Sequence, residues 1–483
     1  MIAGAAGLLA ACAADPREST GAFEAPVMTE ASPALGWNVL DDAALGDERL
    51  HGAWENPAAG HVVSFSGEGV EVFHVLDDFC IRDDGVVPDF ALYGFGERRD
   101  ALWLHHYDFR RRPELLASAR VFRRLSALPE ACAAPAADRR RGPAEVFDLV
   151  IRSFDRFYPF FDERGVDWPD VKRRYAARAG DLSTEHELFE LLIEMLAPLA
   201  DGHLNVTGAE RSWNAGKPEL RVRLRDAWAA SGSELSEGAY VSTWHRGILE
   251  SVYGVLDPDS LRSGAAGALE WGTVGGRMGY VRIHRFSRFT EGDESRPAQY
   301  DALEAALAAM RADLTGVETL LVDVAMNGGG SDAAAQIVAS HFADRRRRVL
   351  RYEEAGAPPR ELFVSPRDGG ERRPILLLTS EVTASAAEAF VLMMRGFPHV
   401  TQVGERTRGD LSSLLPKPFP NDLRVTLAYQ RVLGVDGVSY EGVGIPPARP
   451  LELFPEGNLD GGFAAALAAL AADPSGDSSI RRP

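Results

Sequence analysis

The sequence predicts a multidomain α+β protein whose C-terminal half holds an α/β core, and three observations carry this. Two short apolar runs, 319–324 and 374–378, each lead through a Gly- or hydroxyl-rich turn into a helix-forming segment, as buried strands feeding helices do. Phe147, Val150, Phe154, Phe157 and Phe161 recur at spacings of three and four, which lines one face of a helix. Residues 60–73 (GHVVSFSGEGVEVF) instead alternate about a Gly-Glu-Gly turn, as a hairpin does.

A length of 483 residues allows two to four domains, and 45% hydrophobic with 25% charged residues fits a soluble globular protein with real cores. The net charge of −19 argues against a nucleic-acid partner, so the Arg clusters at 139–141 and 345–348 read as solvated faces.

Residues 1–11 are apolar and small, too short to span a bilayer as a helix, and end Leu9-Ala10-Ala11-Cys12. That pattern resembles the lipobox of bacterial lipoproteins, which implies a diacylated Cys12 and a lipid anchor facing the periplasm or the exterior. A positively charged n-region is missing, and a frayed apolar tail is the alternative. Residues 12–35 read as a tether. Of three cysteines, Cys80 and Cys132 remain as a disulfide pair in an oxidising compartment or as two buried thiols. With no CxxC, HExxH or Cys/His cluster, no metal site is expected.

Along the chain, 36–132 is β-rich, with further short strands at 101–107 and near Phe90, and 133–143 (AAPAADRRRGP) is a linker. The Phe stripe begins a helical block. Trp168 opens its second helix as a staple, and Leu188, Leu191, Met195 and Leu199 mark the third. That helix runs into Asp201-Gly202-His203, where Gly202 is expected to adopt a left-handed conformation and aim His203 outward. Residues 209–262 show no clear period beyond an amphipathic piece at 248–255. Beyond them the α/β pattern sets in: strand 279–283, helix 298–314, strand 319–324, and a helix to about Phe342 capped by Ser331 or Asp332. Strand 374–378, helix 386–395, a strand near 400–404, a β-rich stretch with 423–429, and a helix at 463–472 complete it.

Two turns in this half have the composition that acyl transfer needs. Ser385 stands where a strand turns into a helix, and unpaired N–H groups with the positive dipole end favour developing negative charge there. Capping of that helix by Thr383 or Ser385 is the competing reading. Glycines 328–330 after the other strand let backbone N–H groups face a ligand unhindered, so Gly328, Gly329 and Ala386 are candidate oxyanion donors. Neither GxGxxG nor a Walker Lys-Ser/Thr supports phosphate binding instead.

Six motifs in order resemble the tail-specific (C-terminal-processing) and tricorn-type serine peptidases: Asp-Gly-His (201–203), Gly-Tyr-Val-Arg-Ile (279–283), Asp-Val-x-x-Asn-Gly-Gly-Gly (323–330), Thr-Ala-Ser-Ala-Ala-Glu (383–388), Gly-Glu-x-Thr-x-Gly (404–409) and Glu-Gly-Val-Gly-Ile-x-Pro (441–447). The resemblance implies a ClpP/crotonase-like core with a helical subdomain, and Ser385 as nucleophile. The tail-specific branch places a basic Lys after the fifth motif. Here that position is Asp410, and Lys417 lies seven residues further on, so no Ser–Lys dyad forms. The tricorn-like branch implies His203 as base and Glu441 as its supporting acid. Its Ser before the His is Gly202 here, so direct contact, a water or Asp201 would have to link acid and base. Ala325 and Pro446-Pro447 also depart from the family pattern, and no PDZ carboxylate-binding loop is recognisable.

The division that follows is a lipoprotein signal peptide (1–11), tether (12–35), β-rich domain (36–132), helical subdomain with His203 (144–208), variable cap or linker (209–262), catalytic core (263–453), and C-terminal helix and tail (454–483). The resulting expectation is a cofactor-free serine-type peptidase, anchored through Cys12, acting on peptides or unfolded proteins outside the cytoplasm; oligomeric state stays open. An inactive hydrophobic-ligand or peptide-binding protein on the same scaffold is the alternative, with a crotonase-type acyl-CoA enzyme behind it.

Overall fold

The computed structural model describes residues 38–40, 42–83, 92–95, 101–105, 120–133, 140–216, 219–292, 296–367 and 369–474. Cys12, the signal-peptide and tether segments, and Phe90 lie outside these residues. The chain is a multidomain assembly of helices and sheets. Among the described residues no helix is long and apolar enough to cross a membrane.

Toward the N-terminus, eight antiparallel strands form one sheet, including His61–Ser66 and Gly69–Leu76, which pair as the 60–73 hairpin predicts. Trp54, Val63, Phe65, Leu102 and Phe122 fill its inner face. Cys80 and Cys132 are joined by a disulfide across 52 residues.

Helix α1 (Pro143–Phe157) starts on proline, whose missing N–H costs nothing in a first turn. Asp167 caps α2 (Trp168–Ala179), while Thr184 and Glu187 form a capping box on α3 (Glu185–Leu196). Trp168 stacks on Phe161 at 4.5 Å, and the Phe stripe of α1 is buried against α2 and α3. Leu76, Phe79 and Ile81 of the N-terminal sheet share this core, so the sheet docks on the helices. Lys417 is buried at the same junction. Its ammonium donates to the Ala59 carbonyl and sits 4.3 Å from the Phe157 ring centroid.

The central sheet has seven strands in the order Arg262–Gly264, Leu269–Val274, Met278–Ile283, Thr319–Asp323, Ile375–Thr379, Val400–Gly404, Arg449–Pro450. Pairing is parallel from Met278–Ile283 onward. Alternate side chains enter two cores, which is why these strands read as unbroken apolar runs. Val281, Leu320, Val322 and Leu377 pack under α6 (Arg296–Asp313), α7 (Asp332–Ser340) and α8 (Ala386–Arg395). Tyr280, Leu321, Leu376 and Leu378 face the other way, covered by α4 (Glu219–Ser231), α5 (Glu237–Tyr253) and α9 (Gly462–Ala472). The unperiodic stretch after residue 209 thus supplies two helices of the second layer. At its start α4 touches the turn before α8, where the Leu220 N–H donates to Glu381 at 2.8 Å and Arg223 pairs with the same carboxylate.

A separate four-stranded sheet fixes the site. The strand directly after His203, Asn205–Thr207, pairs antiparallel with Arg424–Ala428 of the C-terminal half. That pairing carries the end of the helical block onto the core.

Candidate active site

Ser385 stands at the N-cap position of α8 with φ 57° and ψ −129°. Positive φ is costly for a residue with a Cβ, and such strain persists only where the surroundings impose it. Here they do. The Thr383 hydroxyl donates to the Val324 carbonyl at 2.9 Å and accepts the Ser380 N–H at 3.0 Å; the Ala384 N–H donates to Asn327 O at 3.2 Å. Thr383 therefore ties the turn to the neighbouring strand rather than capping the helix. The Ser385 hydroxyl makes no capping bond, because the Glu388 N–H is taken by the Ser385 carbonyl at 2.8 Å.

The glycine loop presses directly on this turn. A Cβ at Gly329, whose φ is +109°, would lie 2.7 Å from Ser385 Cβ and 3.1 Å from Ala386 N. The Gly329 N–H is not free, however, since it donates to Asn327 Oδ1 at 2.8 Å. That differs from its expected place among the oxyanion donors, and the cause is local: Asn327, anchored to the Ile283 carbonyl at 3.0 Å, folds back over the loop. The N–H groups of Gly328 and Ala386 donate to no acceptor among the described residues. A Cβ at Gly328 would meet nothing within 4 Å.

Beneath Ser385, the buried Glu388 carboxylate gathers the next loop. It accepts from the Thr407 hydroxyl at 2.6 Å, from the N–H groups of Gly409 and Asp410 at 2.7 and 2.8 Å, and from the Ser385 N–H at 3.2 Å. Burial pushes its pKa up to about 7 against these bonds, of which the Thr407 hydroxyl opposes most. Nothing in its helical position marked this role in the sequence.

The loop so held carries Asp410, which touches both halves of the site. Its carbonyl accepts the Ser385 N–H at 2.9 Å, and its Oδ1 accepts the Gly202 N–H at 3.1 Å. Two expectations about the Asp-Gly-His turn are corrected here. Ala200, not Gly202, takes the left-handed conformation, with φ 47°, after a 3₁₀ turn over Ala197–Leu199. His203 is buried, with only 6% of its surface exposed, because the following strand is drawn into the four-stranded sheet. Its N–H donates to Asp201 Oδ1 at 2.8 Å, while Nδ1 of its ring is enclosed without a hydrogen-bond partner. Burial lowers its pKa, opposed by the charges of Asp410 and Asp201 and aided by those of Arg408 and Arg164.

Glu441 holds the two residues that follow Asp410. Its Oε2 accepts the N–H groups of Leu411 and Ser412, both at 2.9 Å, and its Oε1 accepts Arg164 at 2.7 Å. It makes no hydrogen bond to His203. Arg164, from the loop between α1 and α2, also lies 3.5 Å from Asp410 and 3.7 Å from Asp201. Oxygens of Asp201, Asp410 and Glu441 fall within 4.8 Å of one another, close enough to hold a cation, but the guanidinium already serves as one. Burial and the Asp201 charge push the Glu441 carboxyl well up, Arg164 opposing. Sequence reading missed Arg164, Asn327 and Glu388, none of which belongs to a motif position with an assigned role.

The profile of Peptidase family S41 matches residues 277–450, and that of the Tricorn protease C1 domain matches residues 140–197. Residues 277–450 are thus similar to peptidase family S41. A chloroplastic C-terminal processing peptidase of Tetradesmus obliquus is 29% identical over 198 residues, covering 40% of this chain and 38% of the relative. Carboxy-terminal processing protease CtpA of Bacillus subtilis (strain 168) is 25% identical over 138 residues, 29% of each chain. The chain thus spans less than two-fifths of the length of either of these relatives. A crystal structure from Parabacteroides merdae ATCC 43184 aligns with a TM-score of 0.54 and 26% identity, covering 71% of this chain and all of that one.

Proposed function

We propose that this protein is a serine peptidase of the S41 type, hydrolysing peptide bonds through an acyl-enzyme on Ser385, with His203 as its base. The observation that carries the reading is the strained Ser385 at the head of α8, its hydroxyl free of capping duty and the adjacent Ala386 N–H unpaired. Ser385 Oγ attacks the scissile carbonyl while His203 accepts the hydroxyl proton and later delivers it to the leaving amine. An imidazole whose pKa is lowered by burial is neutral near pH 7, the state a base requires. The carbonyl oxygen gains negative charge, for which the N–H groups of Ala386 and Gly328 are the available donors; Gly329 joins them only by releasing Asn327. Glu441, through its tie to Arg164 and the 411–412 amides, fixes the loop carrying Asp410. No cofactor enters the scheme.

The parallel sheet with helices on both faces supports a ClpP/crotonase-like core, with 144–208 as the subdomain that delivers His203. Peptides or unfolded proteins outside the cytoplasm are the proposed substrates, with lipidation of Cys12 as the anchor. The disulfide between Cys80 and Cys132 suits an oxidising compartment.

A fluorophosphonate probe followed by peptide mapping tests the nucleophile: labelling at Ser385 is the expected result. Casein turnover should disappear in both Ser385→Ala and His203→Ala. A folded protein that takes no label at Ser385 would overturn the assignment.

A further inference from the structure

Gly202 is a glycine for reasons of space. Its φ is not positive, so no backbone demand excludes a side chain. A Cβ built there would instead lie 2.1 Å from Asp410 Oδ2 and 2.8 Å from Asp410 Cγ. The carboxylate of Asp410 therefore fills the place that a side chain at 202, immediately before His203, would take. We infer that Asp410, whose carboxylate occupies the space of a side chain at 202, is the positioning carboxylate that supports the charged form of His203. The inference rests on the assignment of Ser385 and His203 given above.

The remaining acids near His203 are otherwise employed. Asp201 receives the His203 N–H at 2.8 Å on one oxygen and the Tyr158 hydroxyl at 2.8 Å on the other, so it holds the backbone of His203. Glu441 gives one oxygen to Arg164 and the other to two amides. Asp410 keeps Oδ1 on the Gly202 N–H at 3.1 Å and has Oδ2 2.6 Å from Arg408 Nε. Its own carbonyl accepts the Ser385 N–H at 2.9 Å, which fixes the carboxylate relative to the nucleophile. Four charged groups act on the His203 ring: Asp410 foremost, then Asp201, favour its protonation, and Arg408 and Arg164 oppose it. Because Nδ1 is enclosed and unpartnered, a nearby carboxylate is the way to stabilise the imidazolium formed when Ser385 attacks.

The test is kinetic, on the full chain, with casein or a fluorogenic peptide as substrate. Asp410→Asn keeps the shape and removes the charge. It should lower kcat at least about tenfold with KM little changed, and move the acid limb of the kcat profile to lower pH, since His203 loses its largest protonating influence. Gly202→Ser should be inactive through collision with Asp410, and Gly202→Ser combined with Asp410→Ala should recover at least about tenfold over Gly202→Ser alone, the space being restored. Circular dichroism checks folding, and if Gly202→Ser does not fold, the Asp410→Asn profile decides by itself. Unchanged kcat and an unmoved acid limb in Asp410→Asn would overturn the inference. If Ser385→Ala and His203→Ala also remain active, the peptidase mechanism falls with it; if they are dead, only the role of Asp410 does.

Discussion

Arg164 donates a 2.7 Å hydrogen bond to Glu441 across 277 residues of chain, joining a loop of the helical block to the last motif of the core. Its guanidinium is the countercharge shared by three buried carboxylates. Arg164→Met would leave those carboxylates without it. Breaking a buried ion pair from one side costs about 3–5 kcal/mol. Urea unfolding should show a loss of this size, accompanied by loss of turnover. Native-like stability in the variant would mean that the cluster is neutralised in some other way.

Glu388 should give the protein a pH-dependent stability. Its folded pKa of about 7 stands above the ordinary value of 4.5 because of burial. The folded state then holds the proton through a range where the unfolded chain has lost it. Stability from this group is complete below about pH 4.5 and is lost as pH rises through 7. The swing amounts to about 3 kcal/mol at most. Glu388→Gln should flatten the fall in unfolding free energy between pH 5 and 7.5, by roughly this swing or less. An identical slope in both proteins would show that Glu388 is ionised throughout.

Gly329 tolerates no side chain. Its φ of +109° and the 2.7 Å approach of a built Cβ to Ser385 Cβ both stand against alanine. Gly329→Ala should abolish fluorophosphonate labelling of Ser385, or slow it by about a hundredfold or more, since small displacements of an oxyanion site are costly. The unfolding midpoint should fall as well. Labelling at the native rate would show that the loop can retreat without cost to the site.

Lys417 offers the opposite kind of test. Buried at the junction of the N-terminal sheet and the helical block, its ammonium has a pKa driven well below normal by desolvation. An apolar chain of similar volume removes the desolvation cost of the cation in exchange for one hydrogen bond to Ala59, worth about 1 kcal/mol. Lys417→Met should keep casein turnover intact and hold or raise the thermal midpoint. Loss of turnover in a well-folded variant would make a lysine the base and sink the role of His203.

Much of this architecture was legible because it is local. Helix 386–395 follows from an uninterrupted run of good helix formers; of Ser331 and Asp332, the two caps the sequence offers to the preceding helix, the structure uses Ser331, and the buried strands follow from apolar runs. What escaped was non-local. Nothing in Asn205–Thr207 says that it will pair with Arg424–Ala428, so burial of His203 could not be foreseen. Gly202 follows a helix and so suggests the usual glycine rule, backbone freedom, whereas its reason is an aspartate arriving from 208 residues away. Arg164 follows a Phe-rich helix and reads as an ordinary surface charge until three acids converge on it. Asn327 and Glu388 work by gathering backbone N–H groups, which leaves no trace in spacing.

The pairing of Asn205–Thr207 with Arg424–Ala428 has a consequence for the life of the chain on the ribosome. Translation delivers His203 early and Ser385 much later, yet the strand that pairs with Asn205–Thr207 comes later still. A nascent polypeptide halted short of that strand would hold both His203 and Ser385 and still lack the backbone pairing that seats Asn205–Thr207 on the core.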